Sequence, residues 1–151
     1  MAMTMNGEYE LAVPPQTVWE KLNDAATLKA CIPGCEQLDK TSDTEFQAVA
    51  TVKIGPVKAK FKGRVTLSDL DPPNGYKISG QGDGGVAGFA KGGATVKLTP
   101  KDGGTLLSYS VDAQIGGKLA QLGQRLVNGA AKKIADDFFA NFANAVNPKP
   151  A

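Results

Sequence analysis

The 151-residue chain contains no histidine. That removes the side chain most often used as a general base or metal ligand, and with it the Ser-His-Asp arrangement. A cysteine nucleophile would lack its usual partner as well. Cysteine itself is scarce, and Cys31 and Cys35 flank Ile32-Pro33-Gly34. The spacing is neither a redox C-x-x-C nor half of a four-ligand zinc set. Small buried thiols suit it better than a disulfide or a metal. No apolar run approaches the roughly 20 residues that span a bilayer, and the start lacks the charged-then-apolar layout of a secretory signal. A cytoplasmic protein is expected. The net charge of +2 is too slight to argue for a nucleic-acid partner, and no basic run is interleaved with stacking aromatics.

What is present is an ordered pattern of one domain over 1–146, with a short tail at 147–151. Hydrophobic residues make up 42%, enough for a real core. Residues 5–13 alternate around Tyr9, Leu11 and Val13 as a first strand. Pro14-Pro15 ends it, and Pro15 suits the first turn of a helix through Val18, Trp19 and Leu22. A second short helix over 25–30 stops at Pro33-Gly34. Strands follow over 36–41, 45–54 and 57–68, with a further three near 76–82, 89–99 and 105–115. The fourth is the cleanest: Val57, Ala59, Phe61, Gly63, Val65 and Leu67 alternate with Lys58, Lys60, Lys62, Arg64, Thr66 and Ser68. A long amphipathic helix over about 117–146 completes the chain. The order predicts a curved seven-stranded antiparallel sheet around a long C-terminal helix, with two short helices after the first strand.

Many inward positions are small: Ala48, Ala50, Ala59, Gly63, Gly80, Gly82, Gly92, Ala94 and Ala113. Two readings stand side by side. Small residues let a sheet bend and approach other backbone closely, or they leave a cavity for an apolar ligand. Alternate connections of an up-and-down sheet share an end, so Gly55-Pro56, residues 83–88 and Gly116-Gly117 are expected together, beside residues 31–35. That Gly- and Pro-rich rim is the expected mouth. On the terminal helix, Leu119, Leu122 and Leu126 define one stripe and Ile134, Phe138 and Phe142 another, which a bend near Gly129 would reconcile. Phe139 falls outside both, which reads either as a partner or membrane contact or as a lone exposed Phe without a role.

Chemistry-bearing patterns are few. Asp136 and Asp137 are adjacent and diverge on a helix, and no carboxylate pair is spaced for acid and base work. Gly80, Gly82 and Gly85 match G-x-G-x-x-G in letters, but a strand follows where the motif needs a helix N-terminus. The row Lys58, Lys60, Lys62, Arg64 reads as a solvated strand face, with an acidic protein or anionic lipid surface as the functional alternative.

Several segments together resemble one family. They are Cys31-Ile32-Pro33-Gly34-Cys35, Gly55-Pro56-Val57-Lys58, the glycine loop leading to Phe89-Ala90-Lys91-Gly92, and Gly116-Gly117-Lys118-Leu119-Ala120-Gln121-Leu122-Gly123. With the Trp19 helix and Phe138-Phe139, they are similar over about residues 5–145 to the CoxG family of carbon monoxide dehydrogenase subunits. This family lies within the START and polyketide-cyclase-like (SRPBCC) superfamily of helix-grip folds. The resemblance implies an α+β helix-grip domain with an apolar cavity. It also implies a non-catalytic accessory protein of a carbon monoxide dehydrogenase-type molybdenum hydroxylase, linking that enzyme to the respiratory membrane. Peripheral contact at the inner face of the cytoplasmic membrane follows from the same role. Some family members carry a longer C-terminal extension for membrane attachment, whereas this chain ends at Ala151. Members also occur near related hydroxylases, so the partner need not oxidise carbon monoxide. The family brings no catalytic set and no metal, and a hydrophobic ligand such as an isoprenoid quinone, menaquinone or ubiquinone, is a natural extension of the implied role.

On this reading the mouth comprises Ile32, Pro33, Ile54, Pro56 and Val57, with Gly84, Val86 and Phe89 as its lip. Phe61, Tyr109 and Val111 lie deeper, and Leu119, Leu122 and Leu126 face them from the helix. A ligand-free docking or assembly factor is the second reading, and a cyclase or dehydratase acting on a cavity-bound aromatic the third.

Overall fold

In the computed structural model, which describes residues 1–147, the chain forms seven antiparallel strands in one sheet. β1 (Ala2–Leu11) is followed by α1 (Pro15–Leu22) and α2 (Ala25–Cys31). Then come β2 (Cys35–Ser42), β3 (Glu45–Ile54), β4 (Val57–Asp71), β5 (Gly75–Asp83), β6 (Phe89–Lys101) and β7 (Gly104–Gly116). The chain closes with α3 (Lys118–Gln121) and α4 (Gln124–Val146). The strand order is β1-β7-β6-β5-β4-β3-β2. β2 to β7 form a meander, β1 joins its far edge, and α1 and α2 carry the chain across to the opposite edge. Of the tail expected at 147–151, residues 148–151 lie outside the described residues.

Local chemistry sets the boundaries. Pro15 opens α1, where a missing N–H costs nothing. The Asp24 carboxylate caps α2, accepting from the Thr27 amide at 3.2 Å and the Thr27 hydroxyl at 2.6 Å. Pro33 disfavours helix at Ile32, and the helix stops there. Gly34 then turns with φ +75°, so close to β3 that a Cβ would sit 2.2 Å from the Thr51 carbonyl oxygen.

The terminal helix departs from the expectation of one helix bent at Gly129. It breaks between α3 and α4, where Gly123 takes φ +93°, and α4 runs unbroken through Gly129. The left-handed conformation ends a helix cheaply only at glycine.

The buried residues form two clusters. One gathers Leu11, Val18, Phe46, Tyr76, Leu107 and Phe142 with their neighbours, at the end of the sheet covered by α1 and α2. The other, smaller, holds Met3, Ile115, Leu119 and Val127 at the opposite end. Helix α4 spans both: Val127 sits in one, Phe142 and Val146 in the other. Ala131 and Ala135 occupy the helix between them.

Phe142 is fully buried in the larger cluster. Phe142→Ala is expected to cost about 3–5 kcal/mol of folding stability, measured as a lower urea midpoint at unchanged m-value.

Candidate ligand-binding site

Between the two clusters, α4 and the sheet line an apolar chamber of about 390 Å³ that is open to the surface. Ile78, Ala94, Val96 and Val111 form its sheet wall, Ile32 and Pro33 one side, and Ala131, Ile134, Ala135 and Phe138 its helix wall. Alanine faces alanine here, Ala94 from β6 against Ala131 and Ala135 from α4. The space that larger side chains fill at both ends is left open in the middle. Tyr109 brings the one side-chain oxygen among the described lining residues. Its ring lies over Gly7, where a Cβ would come within 2.8 Å of the hydroxyl.

A groove of about 720 Å³ adjoins the chamber and shares Pro33 and Ile134 with it. One wall is residues 51–55 of β3 and its turn, and the other is α4 with Leu126, Gly129 and Ile134, preceded by Leu122. Leu126 and Ile134 are 41% and 37% exposed, unusual for large apolar residues. Arg125, Lys53 and the Lys133–Asp137 pair, 2.8 Å apart, give the groove its charge.

Why the opening lies on the β3 side follows from how α4 is fastened. Toward β1 it is tied repeatedly. The Gln124 amide donates to the Ala2 carbonyl at 2.9 Å, the Tyr9 hydroxyl to Asp136 at 2.6 Å, and the Ala12 amide to the Asn147 side chain at 2.9 Å. Asn141 donates to the Cys31 carbonyl at 3.0 Å, holding α4 to α2. Among the described residues no hydrogen bond joins α4 to β3. Aromatic rings seal the tied side: Phe139 stacks on Tyr9 at 4.3 Å and on Tyr109 at 5.3 Å, and meets Phe138 edge-on at 5.0 Å. Phe139, expected as an exposed contact, is thus half-buried against the core, turned inward by these two tyrosines.

The residues singled out in the sequence divide among several places. Ile32, Pro33, Tyr109 and Val111 line the chamber, and Pro33, Ile54, Leu122 and Leu126 the groove. Val57, Phe61 and Leu119 belong to the smaller core cluster and fill the end of the sheet instead. Pro56 is exposed in the β3–β4 turn. Gly84 packs on Phe61, leaving no room for a Cβ, which would lie 2.7 Å from the ring. Val86 projects into solvent, 84% exposed. Phe89 departs most from a place at the lip. Strand alternation puts it opposite Gly116 and in the outward set with Asp83 and Lys91, on the far side of the sheet from α4. The glycine end is closed by backbone contact, since Gly88 abuts Gly116 and Gly117, and the opening is lateral.

Close strand approach and open space each account for small inward residues, at different positions. At Gly92 a Cβ would come within 2.1 Å of the Asp112 carbonyl oxygen, so close strand approach requires glycine there. Ala94, two residues on, faces the chamber. The sequence places Ile134 on an apolar helix stripe without singling it out as a lining residue, and it does not single out Ile78, Ala131 or Ala135. For the two alanines the i, i+4 spacing is the signal that points to them.

The outer face carries Lys58, Lys60, Lys62 and Arg64, all exposed. Lys60 pairs with Glu36 at 3.2 Å. The Glu36 carboxyl is held below its ordinary value by hydrogen bonds from Thr51 and Lys60. Lys62 and Arg64 line a hollow of about 700 Å³ with Gln47, Gln81 and Lys91. Cys31 is buried and Cys35 partly so, both free thiols, and burial pushes the Cys31 thiol up.

Two phenols are shifted. Burial, then the hydrogen bond to Asp136, raises Tyr9, and burial raises Tyr76. Asp136 is lowered by Lys132 and then by Tyr9. A phenol whose folded value stands above the ordinary value near 10 favours the native state below that pH. The contribution is lost as pH rises through the raised value. Ultraviolet titration should therefore find Tyr9 and Tyr76 ionising later than free tyrosine, with Tyr9→Phe removing one late-ionising group. A second expectation concerns Gly129, which has open space where a Cβ would stand. Gly129→Ala should stabilise the helix by about 1 kcal/mol while narrowing the groove. Chemical denaturation and ligand titration read the two effects separately.

Comparison with known proteins places this geometry. The chain is similar to a solved conserved protein from Geobacillus kaustophilus, at 35% identity and TM-score 0.89, over 95% of each chain. It shares its fold with the Zhui aromatase/cyclase from Streptomyces sp. R1128, at 12% identity and TM-score 0.70, covering 97% of this chain and 94% of that one. The same holds for Ara h 8.0201, at 15% identity and TM-score 0.68, over 97% and 98%. No curated protein matches the sequence. The profile of the CoxG family of carbon monoxide dehydrogenase subunits matches residues 7–147, and the chain, a helix-grip domain with a lateral groove and an apolar chamber, belongs to that family.

Proposed function

We propose that this protein is a non-catalytic accessory factor of a carbon monoxide dehydrogenase-type molybdenum hydroxylase. In this role it carries an isoprenoid quinone or similar apolar molecule between the enzyme and the respiratory membrane. The observation that carries the reading is the split core: an apolar chamber lies where a folded domain of this size would otherwise be filled, and a groove leads to it. Each of the two volumes, about 390 and 720 Å³, lies in the range of small-molecule sites, roughly 300–1,000 Å³. Burying about 400 Å² of apolar ligand at roughly 25 cal/mol per Å² supplies about 10 kcal/mol before association costs. Family membership supports the partner enzyme. The absence of a titratable pair among the described residues of the chamber supports a carrier over the cyclase alternative. No helix among the described residues is long and apolar enough to cross a membrane, so membrane contact in this reading is peripheral.

One observation favours a ligand-free docking factor: the exposed basic row of β4, backed by the hollow beside it. The two readings separate in one experiment. Native mass spectrometry of protein from its own host should show a bound quinone near one per chain, released on organic extraction. Leu126→Asp and Ile134→Asp, both at partly exposed positions that tolerate charge, should lose the ligand while keeping the thermal midpoint. A ligand-free native protein that also refuses added quinone, yet still captures its enzyme, would establish the docking factor instead.

A further inference from the structure

The chamber and the groove differ sharply in what they offer a ligand. Among the described residues Tyr109 carries the only side-chain oxygen lining the chamber, and its ring is occupied by Gly7 on one side and Phe139 on the other. A carbonyl or carboxylate moved there from water would lose its hydrogen bonds and gain few in return.

The groove, by contrast, is rich in donors. Arg125 lines it from α4, and a guanidinium carries five N–H donors and no acceptor. Among the described residues Arg125 has no ion-pair partner, and neither has Lys53 on the opposite wall. The β3 edge adds a backbone donor. β2 pairs with β3 only as far as Ala50, and the Thr51 amide is taken by the Gly34 carbonyl at 2.9 Å. By the two-residue alternation of an antiparallel strand, the Lys53 amide points to the same side, past the end of β2. It meets the groove without a strand partner. The Lys53 carbonyl faces the same way and is an acceptor a cationic head could use. The Asp137 carboxylate is already held by Lys133 at 2.8 Å.

We infer that the site takes an amphiphile tail first: an alkyl or isoprenoid chain fills the chamber, and an oxygen-acceptor head, carbonyl or carboxylate, stays in the groove against Arg125 and the Lys53 edge. The inference rests on the carrier reading and adds the orientation and head chemistry of the ligand. It makes Arg125 a specificity residue, and it disfavours amphiphiles with a cationic head.

Isothermal titration with three probes of similar chain length tests this: decylubiquinone, dodecanoate and dodecyltrimethylammonium, each below its critical micelle concentration. Wild-type protein should bind the first two and take the cationic probe at least about tenfold more weakly. Arg125→Gln, at an exposed position, should keep the thermal midpoint, weaken dodecanoate about tenfold or more and erase the preference over the cation. Equal binding of dodecanoate and the cation by wild type, or an unchanged preference in Arg125→Gln, overturns the orientation while decylubiquinone binding leaves the carrier standing. Failure of all three probes to bind overturns both.

Discussion

Helix α4 is fastened to the sheet along one side, and most of what the protein can do follows from that asymmetry. Toward β1 it is held by Gln124, Asp136 and Asn147 and by a stack of aromatic rings, and toward α2 by Asn141. Toward β3 no hydrogen bond holds it among the described residues. On the β3 side the two elements are separated by the groove, whose apolar walls are Leu122, Leu126 and Ile134 on one side and Val52 and Ile54 on the other. Apolar walls of this kind make non-directional contacts with a guest.

The second consequence lies in the core. Two clusters of large side chains brace the ends of α4, and alanine on both walls keeps the middle open. Stability is thereby concentrated away from the chamber. Phe142 and its neighbours hold the fold from an end of the sheet that does not line the chamber. The exposed Leu126 and Ile134 and the mid-helix Gly129 all depart from what stability alone would select, and all three lie on the groove.

A chamber of this kind selects guests by shape and burial more than by reactive groups. The chain has no histidine, neither cysteine lines the chamber, and Asp136 and Asp137 are paired with lysines on the surface of α4. The shifted groups serve structure. Tyr9 and Asp136 are perturbed because they join β1 to α4, and Tyr76 because it is buried in the larger cluster. Perturbed titration often marks a catalytic centre; here Tyr9 and Asp136 mark the joint between β1 and α4.

The element order, the alternating strands, the short helices bounded by Pro15 and Pro33 and the outward basic row were all legible in the sequence, because they depend on residues close in the chain. Period-two and period-3.6 patterns, proline and glycine act over a few residues, and such local terms need no knowledge of the fold. Ile32, Pro33, Tyr109 and Leu126 could be picked out as inward or rim residues on the same basis. Tertiary structure alone decided the rest. Whether Gly92 serves close strand approach and Ala94 a cavity depends on the carbonyl of Asp112 and the alanines of α4, far away in sequence. Phe139 became part of the packed seal only because Tyr9 and Tyr109 meet it there. The opening lies beside β3 and not at the glycine-rich end because hydrogen bonds between residues up to 135 positions apart tie the helix on one side only. Packing between distant segments fixes that choice, and no local pattern carries it.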